Sequence, residues 1–237
     1  MNSILSFNVL PFLIIFIILI PIFFIIEKRA QESIVPIHML RNKEISIACI
    51  ETLCYGIVYS SAIFIPSLVI LSMGLNNQSA SLMLIPILGA NAVAAPILGK
   101  ILDSAGSRKI MAIGTLIMSF GLIAIAAYPN NLILFLIAGC LIGIGMVTII
   151  GAPLRYIVLT EAKATERGAG QAIVNMLSIA GQLIGGALIG GTVASFSGIF
   201  GYKISLILAA SVGLIAFLFT LKLKSRDEQI ETMKSNQ

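Results

Sequence analysis

Seven stretches of this chain, at 7–26, 45–72, 80–98, 110–128, 132–153, 169–194 and 204–221, are almost wholly apolar. A helix needs about 20 residues to cross a hydrocarbon core of about 30 Å. Within that core every main-chain N–H and C=O must find a partner, so runs of this length span as helices. The expected fold is therefore an all-α integral membrane protein with seven transmembrane helices, joined by polar or Gly/Pro-containing turns. Composition excludes a soluble domain, because 58% of the 237 residues are hydrophobic and only 11% are charged.

Basic residues orient such a chain, since Lys and Arg gather in cytoplasmic loops. Segments 27–44, 99–109 and 154–168 and the tail after 221 hold all but one of the 15 Lys and Arg; the exception is Lys203. The alternate connections are otherwise free of them. This pattern puts the N-terminus outside and the C-terminus in the cytoplasm of a cell membrane. It also accounts for the net charge of +5 without a nucleic-acid partner, and rests the tail near anionic lipid headgroups. The first run carries its charges, Glu27, Lys28 and Arg29, after its apolar core, the flank order of an anchor rather than a signal peptide. The expected layout is a linker helix and inner elbow at 1–44, a six-helix bundle at 45–222, and a cytoplasmic tail at 223–237. Cys49, Cys54 and Cys140 fall inside spans and His38 stands alone, so no metal, disulfide or cofactor spacing is present.

The charged turn GKILDSAGSRK at 99–109 interrupts the oil. Gly99 would let helix ends approach, Gly106 would allow a positive φ, and Asp103 could accept from a helix N-terminus or pair with Arg108, next to Lys109. Such a turn suits a conformational switch; the competing reading is a solvated basic loop with a turn glycine. Inside the spans the polar residues are few. Glu51, Tyr55 and Tyr59 recur every four residues and share one helix stripe, and Asn91, Gln171, Asn175 and Gln182 are the amides. An ionisable group at that depth is expected to serve a substrate or proton pathway. The tyrosines can equally be packing, and the amides interhelical hydrogen bonds. Gly181, Gly185, Gly186 and Gly190 read as sites of close helix contact.

The 99–109 turn resembles the signature loop of the major facilitator superfamily, Gly-x-Leu-x-Asp-Arg-x-Gly-Arg-Arg/Lys, at Gly99, Asp103, Gly106, Arg108 and Lys109. It departs at Ser104 and Ser107, where the family usually has basic residues, as does the weakened copy in the second half of these transporters. EKRAQESIVPIHMLRNK (27–43) and ERGAGQAIVNMLSIAGQLIGGALIGG (166–191) resemble segments of the fourteen-helix drug:proton antiporter group. The resemblance implies that the seven spans correspond to helices eight to fourteen, one linker helix plus a C-terminal six-helix half bundle. It implies a substrate site near the midplane between two rocking bundles. The partners it implies are protons, a small-molecule substrate, the bilayer, and an N-terminal half transporter or a second copy of this chain.

Three functions follow in order. The first is a secondary transporter, or half of one, exporting small amphipathic organic compounds against protons by alternating access. The second is a non-transporting structural or regulatory half, or an inactive split-gene remnant. An enzyme is not expected, because the spans hold no Ser/His, Asp/Asp or His-rich constellation.

Overall fold

A computed structural model describes residues 37–235. The span expected at 7–26 and most of the elbow lie outside them. Among the described residues every regular element is helical. A 3₁₀ turn, Ile37–Arg41, leads into α1 (Lys43–Tyr59), whose first N–H groups are capped by the Asn42 side chain. There follow α2 (Ser61–Met73), α3 (Asn77–Leu82), α4 (Ile85–Ala105), α5 (Ser107–Ala127), α6 (Leu132–Ile150), α7 (Ala152–Glu161), α8 (Arg167–Ser195), α9 (Ile199–Thr220) and α10 (Arg226–Ser235).

Six spans are long and apolar enough to cross a membrane: Lys43–Met73, Asn77–Ala105, Ser107–Ala127, Leu132–Glu161, Arg167–Ser195 and Ile199–Thr220. Three of them are broken helices. In the first, the Ser60 and Ser61 hydroxyls donate to the carbonyls of Ile57 and Val58 at 2.6 and 2.7 Å, bending the helix just before Pro66. Pro86 stands at the start of α4 and Pro153 at the start of α7, each at the first turn, where its missing N–H is tolerated.

Two helix ends differ from expectation. The span expected to stop at residue 98 continues as helix to Ala105, and the one expected to stop at 153 continues through Arg155 to Glu161. The apolar run marks where the oil ends, whereas a helix pairs its own main chain on either side of that boundary. The turn expected at 99–109 is thereby reduced to one residue: Gly106, at φ 77°, separates α4 from α5.

The most extensive packing joins α5 to α6, α1 to α8, α5 to α9, and α4 to α6, with α1 and α8 also lying against α9. Glycine sets the closest of these contacts. A Cβ at Gly56 of α1 would strike the Ser178 carbonyl, and one at Gly181 of α8 the Leu53 carbonyl. Gly185 extends this seam, whereas Gly186 faces open space and Gly190 makes only an ordinary contact with the Phe64 ring, so the expected glycine packing holds for the first pair alone. Gly99 likewise has nothing within reach of a Cβ, so it does not bring helix ends together within this bundle.

Candidate functional site

Glu51 lies two helical turns along α1 and is wholly buried. Its Oε1 accepts from the Thr220 hydroxyl at 2.7 Å, across to the last residue of α9, while Oε2 is buried with no partner. Tyr55 is buried one turn further on, and its ring stands 5.7 Å from that of half-buried Tyr59. The stripe read from the sequence therefore exists, and its acid points into the bundle instead of returning to the interface or to Lys43.

The amides do not join it. Asn91 of α4 donates to the Gly143 carbonyl of α6 at 3.3 Å, an interhelical bond. Gln171 donates to the Arg155 carbonyl at 3.3 Å, tying α8 to α7. Gln182 reaches only Ser178 on its own helix, at 3.4 Å, and Asn175 is exposed.

The tail helix α10 folds back on the bundle, against α7. Arg226 donates to the Tyr156 hydroxyl at 2.6 Å and to the main-chain carbonyl of Asp103 at 2.7 Å, and its guanidinium lies over the Tyr156 ring. Gly106 makes room for it, since a Cβ there would sit 3.0 Å from Cβ of Arg226. The acceptor expected of the Asp103 carboxylate is thus supplied by its backbone, and the cation comes from the tail rather than from Arg108 or Lys109; the Asp103 and Lys109 side chains are exposed. Beside this clasp, buried Glu44 accepts from the Lys224 main-chain N–H through both oxygens, at 3.2 and 3.1 Å. Glu161 binds Lys224 Nζ at 2.6 Å and Asn42 at 2.9 Å. A cleft of about 620 Å³ opens next to it, lined by Gly99, Asp103, Arg155 and Tyr156 among others.

Thr220, Glu44, Glu161, Tyr156 and Arg226 are the site residues that sequence reasoning missed. Two signals were available. Glu44 and Glu51 are seven apart, hence on one face of α1, and Ser225-x-x-Glu228 is a capping box that announces α10. No group of three or more His, Cys, Asp or Glu side chains among the described residues is placed to hold a metal.

A family model described as Major Facilitator Superfamily matches residues 47–235, nearly the whole of this six-span bundle and its tail. The chain belongs to the Major Facilitator Superfamily. The resemblance carried by the 99–109 turn is therefore borne out at the level of the superfamily, and membership points to a transporter rather than an enzyme. The uncharacterized MFS-type transporter YfiU of Bacillus subtilis (strain 168) is 26% identical over 170 residues, which is 72% of this chain and 33% of that protein. Multidrug resistance protein 3 of the same strain is 27% identical over 122 residues, 51% of this chain and 24% of that protein. The chain thus matches about a third or less of the length of these relatives.

Proposed function

We propose that this chain is the C-terminal half of a fourteen-helix drug:proton antiporter, exporting small amphipathic organic compounds across the plasma membrane by alternating access. The observation that carries the reading is Glu51, a wholly buried acid inside an apolar bundle, with one oxygen left without a partner. A superfamily member named for multidrug resistance among the similar proteins supports the substrate class. The second wall of the substrate site comes from a separately encoded N-terminal half or from a second copy. Support for a missing wall comes from α4 and α8, whose spans are only 11% and 33% buried in this bundle and which carry half-buried Asn91 and exposed Asn175. In this reading Glu51 couples movement to protons, Tyr55 and Tyr59 continue its stripe, and Gln171 ties α8 to α7 while Gln182 bonds within α8.

Everted membrane vesicles from cells making the chain with its partner half test this. Ethidium accumulation driven by an imposed pH gradient should exceed that of vesicles lacking the chain and collapse with a protonophore. Glu51→Gln should bring gradient-driven accumulation to background while ethidium binding persists, and Tyr55→Phe should mainly alter affinity. Accumulation that is the same with and without the chain would leave a structural half-protein as the better account.

A further inference from the structure

Thr220 ends α9 with its side chain fully buried. Its hydroxyl oxygen stands 2.7 Å from Glu51 Oε1 and 3.1 Å from the carbonyl oxygen of Ala216. A threonine hydroxyl owns one hydrogen, so it cannot donate to both at once. Other span threonines return that hydrogen to their own helix at short range, Thr52 to Ala48 and Thr192 to Leu188, each at 2.7 Å. At Thr220 the shorter contact is the one that crosses to another helix.

We infer that Thr220 is the positioning residue for proton exchange at Glu51, its hydroxyl turning between the Ala216 carbonyl and Glu51 Oε1 as the acid gains or loses its proton. This deepens, and rests on, the reading of Glu51 as the coupling acid. In the protonated state the Glu51 O–H donates to Thr220 Oγ1, Thr220 donates to Ala216, and Oε2 is left as a neutral oxygen that tolerates having no donor. Loss of the proton to a water molecule, which becomes hydronium, breaks only the Glu51 O–H bond. The Thr220 hydrogen then turns to the carboxylate, and the Ala216 carbonyl keeps the main-chain donor of its helical turn. Rotation of one hydroxyl serves Oε1 in both states with neither helix displaced, while Oε2, which has no partner, favours the protonated form.

The surroundings leave this role to Thr220. On α1 the nearest titratable neighbours are Cys54 and Tyr55 about a turn outward and Cys49 inward, none of them cationic at neutral pH; Lys43 and Glu44 lie two turns away at the inner end. Of the elements packed against α1, α2 has no ionisable side chain, α8 has only Arg167 at its inner end, and α9 has Lys203 near its outer end and Tyr202 beside it. The packed α6 and α7 contribute Cys140, Arg155, Tyr156 and Glu161, and the 3₁₀ turn carries His38 and Arg41 in its sequence. The hydroxyl bond to Glu51 comes from Thr220, whose main-chain N–H also faces the carboxyl.

Infrared spectroscopy reads this directly, because a protonated carboxyl has a C=O stretch that a carboxylate lacks. The full chain in phosphatidylethanolamine/phosphatidylglycerol vesicles should show such a band, lost on raising the pH and absent in Glu51→Gln. Thr220→Ser should leave its frequency as in the unaltered chain. Thr220→Val, and Thr220→Ala as a smaller replacement should valine disturb folding, should move the band to higher frequency, with circular dichroism verifying helix content. A Val or Ala variant whose band matches the unaltered chain would overturn the role of Thr220, as would the absence of any Glu51-dependent band. Glu51→Gln vesicles that still accumulate ethidium while the Thr220 shift is seen would refute the coupling reading alone.

Discussion

Gly56 and Gly186 differ only in what lies opposite them, and that difference sets what a single methyl group does. At Gly56 the added carbon would meet the Ser178 carbonyl, the Gln182 main-chain nitrogen at 2.8 Å and Gly181 Cα at 2.8 Å, all backbone that cannot turn away. Gly56→Ala should therefore cost about 1–3 kcal/mol, the range for overpacking. Gly186→Ala meets open space and should stay within about 0.5 kcal/mol of the parent. Thermal unfolding of both variants in the same detergent checks the contrast; equal midpoints would mean that the α1–α8 seam is looser than drawn. Sequence alone showed four-residue spacing for both glycine pairs on α8, and spacing cannot tell which pair meets a neighbour. The same limit governed the acid. Depth and the stripe with Tyr55 were legible at Glu51 from position along the span, but Thr220 is 169 residues away, and no local pattern names a partner at that distance.

The tail is where helix signals and hydropathy point different ways. Residues after 221 are charged and look solvated, yet Glu228 reaches back to Ser225 at the start of α10 and Arg226 ties the helix to Tyr156 and Asp103. The Ser225 N–H and hydroxyl both donate to Glu228, at 2.7 and 2.9 Å, and hold its carboxyl below its ordinary value of 4.5. A carboxyl lowered on folding stabilises the cap above the ordinary value and loses that contribution as the pH falls below it. Amide hydrogen exchange across 226–235, corrected for the intrinsic pH effect, should quicken several-fold on acidification through this range, and Glu228→Ala should reproduce the quickening at neutral pH. Arg226→Ala should free the same amides at neutral pH, whereas Asp103→Asn should not, because the acceptor is the backbone of residue 103 and survives the change. Unchanged exchange in Arg226→Ala would remove the clasp. The broken spans were partly announced by Pro66, Pro86 and Pro153, but their extensions to Ala105 and Glu161 were not, since Lys100, Asp103, Arg155 and Glu161 interrupt the apolar pattern and helix continuation there depends on packing against the rest of the bundle.

For the whole bundle, the charge count gives a topology that labelling can check. With the native cysteines replaced by serine, single cysteines at 76–78 should react from outside with a membrane-impermeant maleimide, and those at 103–105 only after permeabilisation; the opposite pattern would invert the molecule. That every described span was legible follows from the bilayer, which imposes one length on all of them. Their arrangement was not legible, because which helix lies beside which is set by side-chain fit. The α1–α8 seam is the clearest case. It runs from Leu53 against Gly181 to Ser60 against Gly185 and stops where the helix itself breaks. Past that point α2 and α8 leave room for a side chain, since a Cβ added at Gly190 would sit at an ordinary van der Waals distance, 3.7 Å, from the Phe64 ring. Along the seam a shift of one residue, about 1.5 Å of rise, would drive main chain into main chain. The Leu53–Ser60 stretch of α1 and α8 are consequently locked in register like the two faces of a dovetail joint, and sliding freedom between the span and α8 is confined to α2, beyond Ser60.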